Sequence, residues 1–72
     1  MSDGAVDVRR EVLQMLLEKI EEDRFPSSTM MDMAEKLLGP DELSAYTAIL
    51  LDKVRETRFP SMDMLRRVSA YA

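Results

Sequence analysis

Cysteine and histidine are both absent from this chain of 72 residues, and glycine occurs only at positions 4 and 39. Without cysteine, the chain has no disulfide bond and no thiolate zinc site. Without histidine, it also lacks the most common general base. Two isolated glycines cannot form a glycine-rich phosphate loop. We therefore expect no enzyme activity, no metal or other cofactor, and no small-molecule substrate.

Long apolar runs are also missing. The longest run covers residues 48–51, whereas a membrane-spanning helix needs about 20 apolar residues. The first residues contain neither a basic segment nor an apolar segment of the kind found in signal peptides. We therefore expect a cytoplasmic protein without a membrane segment. The charged residues are 14 acids and 10 bases, which give a net charge of −4.

An internal repeat is the strongest pattern in the sequence. Residues 16–27 match residues 50–61 without a gap at an offset of 34 residues, and eight of the twelve pairs are identical. Apolar positions continue to match upstream and downstream of this segment. The period equals that of tetratricopeptide repeats, but the Trp and Leu-Gly positions of that family are absent, so no family is assigned.

The spacing of apolar residues in each repeat predicts a long helix followed by a short helix. The expected fold is therefore all-α, a single four-helix domain over residues 1–72, built from two tandem helical hairpins. The repeat units are about 5–38 and 39–72, and we expect them to pack about a pseudo-twofold axis. The first helix is predicted from about Val6 to Asp23, and the third from Pro40 at its first position.

The motif Arg-Phe-Pro-Ser occurs at the corner of each hairpin. A residue before proline is pushed out of helical geometry, and a serine after it can cap the next helix. We expect each phenylalanine ring to fold back and be buried, as in a hydrophobic staple. The residues predicted to have structural roles at the corners are Phe25, Pro26, Ser27, Phe59, Pro60 and Ser61.

Methionine is unusually frequent, with seven residues in 72. Met30, Met31 and Met64 match apolar residues in the other repeat and are expected in the core. Met33 and Met62 instead match polar residues, so we expect them to be exposed and to contact a partner, as flexible thioethers often do. The edge of the first helix extends this surface. The predicted contact residues are Leu13, Leu17, Met33 and Met62.

These observations favour a non-catalytic protein-interaction module, a small helical adaptor or regulatory protein that binds a protein partner or forms a homodimer. The alternative is a DNA-associated regulator of the helix-turn-helix type, with its most basic point at Arg66 and Arg67. Nucleic-acid binding is the weaker prediction, because the chain is acidic overall and lacks the basic surface that contacts phosphates.

Overall fold

The computed structural model of the protein describes residues 7–72. Within this range the chain forms four α-helices and no strand, which confirms the all-α prediction. The helices are α1, Val8–Glu22; α2, Ser28–Leu37; α3, Leu43–Glu56; and α4, Met62–Ser69. Long and short helices alternate as expected, and the predicted start near Val6 lies outside the described residues. None of these helices is long and apolar enough to cross a membrane.

Side-chain caps explain where three of the helices begin. The side chains of Asp7, Ser27 and Ser61 each accept a hydrogen bond from the backbone N–H three residues later, at 3.0–3.2 Å. These bonds satisfy N–H groups that have no partner within the first turn of a helix, and each contributes about 1 kcal/mol. The two short helices therefore start at the same point of the repeated motif.

The third helix begins at Leu43, three residues later than the sequence predicts. The N–H of Glu42 donates to the carbonyl of Gly39, while the N–H of Gly39 donates to the Glu42 carboxylate at 2.8 Å. These reciprocal bonds close a separate turn before the helix, which corrects the predicted start at Pro40. A Cβ atom on Gly39 would lie 2.8 Å from that carboxylate, so a larger residue here would displace the Glu42 side chain from its bond to the backbone.

Contacts at both ends show that α1 and α3 are parallel. Near their first residues, Arg9 forms an ion pair with Glu42 at 3.0 Å. Near their last residues, the Lys53 ammonium donates to the carbonyl of Glu21. Since α2 packs against α1 and α4 packs against α3, the corners of the two hairpins lie at the same end of the molecule.

The contacts between the two hairpins are not reciprocal: a residue of the second hairpin that contacts the first has a matching residue in the first hairpin that does not contact the second. Lys53 is buried against α1, whereas Lys19, which matches it at the 34-residue offset, is exposed. Arg67 of α4 bonds to α2, whereas its match, Met33, is exposed. If the hairpins packed about a twofold axis, each of these contacts would occur twice, once from each hairpin to the other. The expected twofold packing is therefore wrong, and the second hairpin sits beside the first in the same orientation.

The core lies between the two long helices and the short helices that fold back on them. Its central members, Ile20, Tyr46 and Leu50, are fully buried. Met31 and Met64 fill the space beneath the short helices, as expected of methionines that match apolar residues in the other repeat. The buried apolar residues are Leu13, Ile20, Met31, Ala34, Tyr46, Leu50 and Met64.

A polar network joins the second hairpin to α2. The hydroxyl of Tyr46 donates to the Glu35 carboxylate, which also pairs with the Arg67 guanidinium at 2.9 Å. The rings of Tyr46 and Tyr71 pack in a T-shaped arrangement, with 6.1 Å between centroids. Burial, followed by the hydrogen bond to Glu35, raises the pKa of Tyr46 above its ordinary value. The folded state therefore favours the neutral phenol.

This raised pKa predicts a loss of stability at high pH. The stabilising effect is fully present below pH 10, the ordinary pKa of tyrosine. It declines as pH rises further, because only the unfolded state then ionises freely. At pH 11 the loss amounts to about 1.4 kcal/mol. Urea unfolding at pH 9 and 11 should show this loss in the wild type and not in Tyr46→Phe. Burial also raises the pKa of Tyr71, which is present in both proteins, so the prediction rests on the difference between them and equal losses in both would contradict it.

Candidate functional site

The two phenylalanines of the repeated motif are the most exposed large apolar side chains at the corners. Phe25 is 73% exposed and Phe59 is 83% exposed, so the expectation that their rings are buried is wrong. Arg24 stacks over the ring of Phe25, and Arg58 stacks over the ring of Phe59, each 5.9 Å from the centroid. Each corner thus presents a cation–π pair to solvent.

Proline, rather than phenylalanine, occupies the inner position of each corner. Pro26 is buried and Pro60 is half-buried. At the first corner, the N–H of Phe25 donates to the Asp23 carboxylate at 3.0 Å, which forms a local turn. The serine that follows each proline caps the next helix. The corner can therefore form without burial of the ring.

The two cation–π pairs lie side by side because α1 and α3 are parallel. Both pairs line a surface cavity of about 330 Å³. Its lining residues, which we call the corner surface, are Arg24, Phe25, Glu56, Thr57, Arg58 and Phe59. Among residues 7–72, neither Arg24 nor Arg58 lies within salt-bridge distance of a carboxylate. The corner surface thus combines two apolar rings and one carboxylate, Glu56, with two cations that are available to another molecule.

A buried lysine connects the last turns of α1 and α3, which lie beneath the corner surface. Lys53 is 8% exposed, and its ammonium donates to the Glu21 carbonyl in the last turn of α1. A cation at this position also interacts favourably with the carbonyl dipoles at the end of a helix. This bond ties the ends of α1 and α3 together, so it sets the spacing of the two corners.

The four predicted contact residues lie in different environments. Leu13 is 1% exposed and belongs to the core, so its predicted role as a surface contact is wrong. The reason is that the second hairpin covers this side of α1, which the width of the apolar stripe could not indicate. Leu17 is half-buried. Met33 and Met62 are 48% and 61% exposed, and both lie on the short helices, outside the residues that line the corner surface.

The basic point on α4 is largely neutralised. The Arg67 side chain is 11% exposed, and it pairs with Asp32, Glu35 and Asp63 at 2.8–2.9 Å. Only Arg66 of the two neighbouring arginines is exposed. Within the described part of the chain, no group of three or more carboxylates is arranged to hold a metal ion.

One feature of the sequence pointed to the corner surface, although we interpreted the motif only as a structural corner. The Arg-Phe pair is identical in both repeats, although several neighbouring positions differ. Comparison of the chain with protein-family models, with curated proteins and with solved structures finds no match. The assignment of a function therefore depends on the residues of the site.

Proposed function

We propose that the protein is a non-catalytic interaction module, built by duplication of a helical hairpin, that binds a protein partner through the corner surface. The observation that carries the proposal is the exposure of Phe25 and Phe59 side by side at one end of the molecule. Exposed aromatic rings in a group are uncommon on monomeric domains, and aromatic and arginine residues contribute most of the binding energy at protein interfaces.

The chemistry of the corner surface indicates the kind of partner. An apolar side chain can enter the cavity between the rings, where it would remove both rings from water. Arg24 and Arg58 can then pair with carboxylates on either side, because the described residues supply neither with a salt bridge. The partner proposed is therefore a protein segment with an apolar residue flanked by acidic residues.

The internal sequence repeat supports this proposal. Both repeats retain the Arg-Phe pair, and the cap that follows it has the same geometry in each hairpin. The folding of the corner depends on the proline and the serine, so the exposed ring and its cation are free to serve binding.

A random peptide library displayed on phage tests this function. Peptides selected on the wild type should combine an apolar residue with Asp or Glu, and Phe25→Ala/Phe59→Ala should bind them about tenfold more weakly or worse. Each substitution should lower the free energy of unfolding by about 1 kcal/mol or less, since the rings are exposed. Val8→Ala is the matched control, because Val8 is 66% exposed at the opposite end of α1.

Two results would contradict the proposal. One is a set of selected peptides that bind the double variant as well as the wild type. The other is cosedimentation with anionic phospholipid vesicles that depends on Phe25 and Phe59, because such binding would identify a membrane surface as the partner instead.

A further inference from the structure

The second hairpin docks into a groove of the first hairpin. Tyr46, Leu50 and Lys53 of α3 are the buried residues that make this contact. The groove lies between α1 and α2, where Leu13 and Ala34 are fully buried and Glu35 accepts the Tyr46 hydroxyl. Because the two hairpins share one repeat, the second hairpin has a groove at the corresponding place.

Among residues 7–72, no helix covers that second groove. It forms a surface cavity of about 390 Å³ between α3 and α4. The residues of this open groove are Thr47, Leu51, Val68, Ser69, Tyr71 and Ala72. At the 34-residue offset they match the groove of the first hairpin, residue by residue: Leu13, Leu17, Ala34, Glu35, Leu37 and Leu38. Leu51 and Tyr71 are 39% and 38% exposed, whereas their matches in the first hairpin, Leu17 and Leu37, are half-buried.

The face that would fit the open groove lies on α1, where two of its four residues are exposed and two are half-buried. The residues of this docking face, Val12, Met15, Leu16 and Lys19, match Tyr46, Ile49, Leu50 and Lys53 of α3. Met15 is 57% exposed and Lys19 is exposed, whereas Leu50 and Lys53 are buried in the contact within the chain. One molecule thus carries an unused docking face on its first hairpin and an unused groove on its second.

The two exposed methionines occupy complementary positions in this arrangement. Within the chain, Arg67 of α4 reaches α2 and donates to the carbonyl of Ser28 at 3.4 Å. Met33 matches Arg67, and Met62 matches Ser28. If a second molecule docked as the second hairpin does, its Met33 would lie against Met62 of the first. The ion pairs of the internal contact would be replaced by an apolar contact between two flexible side chains.

We infer that the open groove binds the docking face of a second copy of this chain, so that molecules associate head to tail. This contact joins two different surfaces, so each added molecule offers a new open groove and the assembly grows as an open chain. The inference goes beyond the proposed function, because the open groove and the docking face include neither Phe25 nor Phe59. Since α1 and α3 are parallel, such a chain would bring successive corner surfaces to one edge and strengthen binding to a repetitive partner.

Complementary variants test this inference. Leu51→Glu disables the open groove and leaves the docking face intact, whereas Met15→Glu disables the docking face and leaves the groove intact. Sedimentation velocity should show that the average mass of the wild type rises with concentration and that each variant alone stays monomeric. An equimolar mixture of the two variants should form a one-to-one dimer that does not grow, because only one intact groove and one intact face can meet.

A second pair of variants tests the same contact at exposed positions, where a substitution should not impair folding. Met62→Glu on the groove side and Met33→Glu on the docking side replace exposed residues, and their mixture should behave in the same way. A wild type that stays monomeric at every concentration would overturn the inference. So would a folded pair of variants whose mixture stays monomeric, or a wild-type dimer that does not grow, since a closed dimer uses one surface twice. None of these results bears on peptide binding at the corner surface.

Discussion

Leu50→Ala is expected to lower the free energy of unfolding by about 2–5 kcal/mol, enough to unfold much of the protein at room temperature. Leu50 is fully buried on the face of α3 that docks against the first hairpin. Removal of its side chain leaves a cavity at the contact between hairpins. A chain of 72 residues buries a small core, so its total stability is at the low end of the usual range.

The internal repeat supplies matched controls for this substitution. Leu16→Ala changes the identical residue at the matching position, which is half-buried, and Leu51→Ala changes the neighbouring leucine, which is 39% exposed. Both should lower the free energy of unfolding by clearly less than Leu50→Ala does. Urea unfolding followed by circular dichroism, at low protein concentration, measures all three. Equal losses for Leu50→Ala and Leu51→Ala would show that the hairpins do not dock through α3.

Local patterns in the sequence were sufficient to predict the helices. The periodicity of apolar residues, together with the Pro-Ser pair at each corner, predicted four helices and where the short ones begin. The exposure of Met33 and Met62 also followed from the repeat, because each aligns with a polar residue. These features depend on neighbours within a few residues, or on comparison of the two repeats.

Features that depend on contacts between the hairpins could not be predicted in this way. Lys19 and Lys53 have closely similar neighbours in sequence, yet one is exposed and the other is buried. The difference arises because the second hairpin docks through α3 into the groove of the first hairpin. The matching face of α1 and the matching groove of the second hairpin take part in no such contact within the described residues. For the same reason Leu13 is buried, although its match, Thr47, lines an open groove.

The corner surface was missed for a different reason. A Phe-Pro-Ser sequence before a helix is compatible with a ring that folds inward or with one that points outward. The choice depends on whether space remains beneath the corner, and buried Pro26 and half-buried Pro60 occupy the inner positions. The arginine before each ring then stacks on its outer face. Neither proline burial nor the parallel arrangement of α1 and α3 can be derived from a single repeat.

Arg67→Ala is expected to lower the free energy of unfolding by about 2–4 kcal/mol at neutral pH. The guanidinium holds Asp32 and Glu35 of α2 and Asp63 of α4, and its side chain is 11% exposed. Its removal leaves three carboxylates close together without a cation. The loss stays below that of a fully buried ion pair, because Asp32 and Asp63 are 60% and 44% exposed.

The dependence of this loss on pH distinguishes charge from packing. The hydrogen bond from Arg67 is the main cause of the lowered pKa of Asp63. Because that pKa is lower in the folded state, the stabilisation is present above the ordinary value of 3.8 and is lost as pH falls below it. The difference between wild type and Arg67→Ala should therefore narrow between pH 7 and pH 3. Arg66→Ala, at the exposed neighbour, should have little effect at either pH. A difference that is constant with pH would mean that Arg67 stabilises the protein by packing, and the contact between α2 and α4 would then not depend on ion pairing.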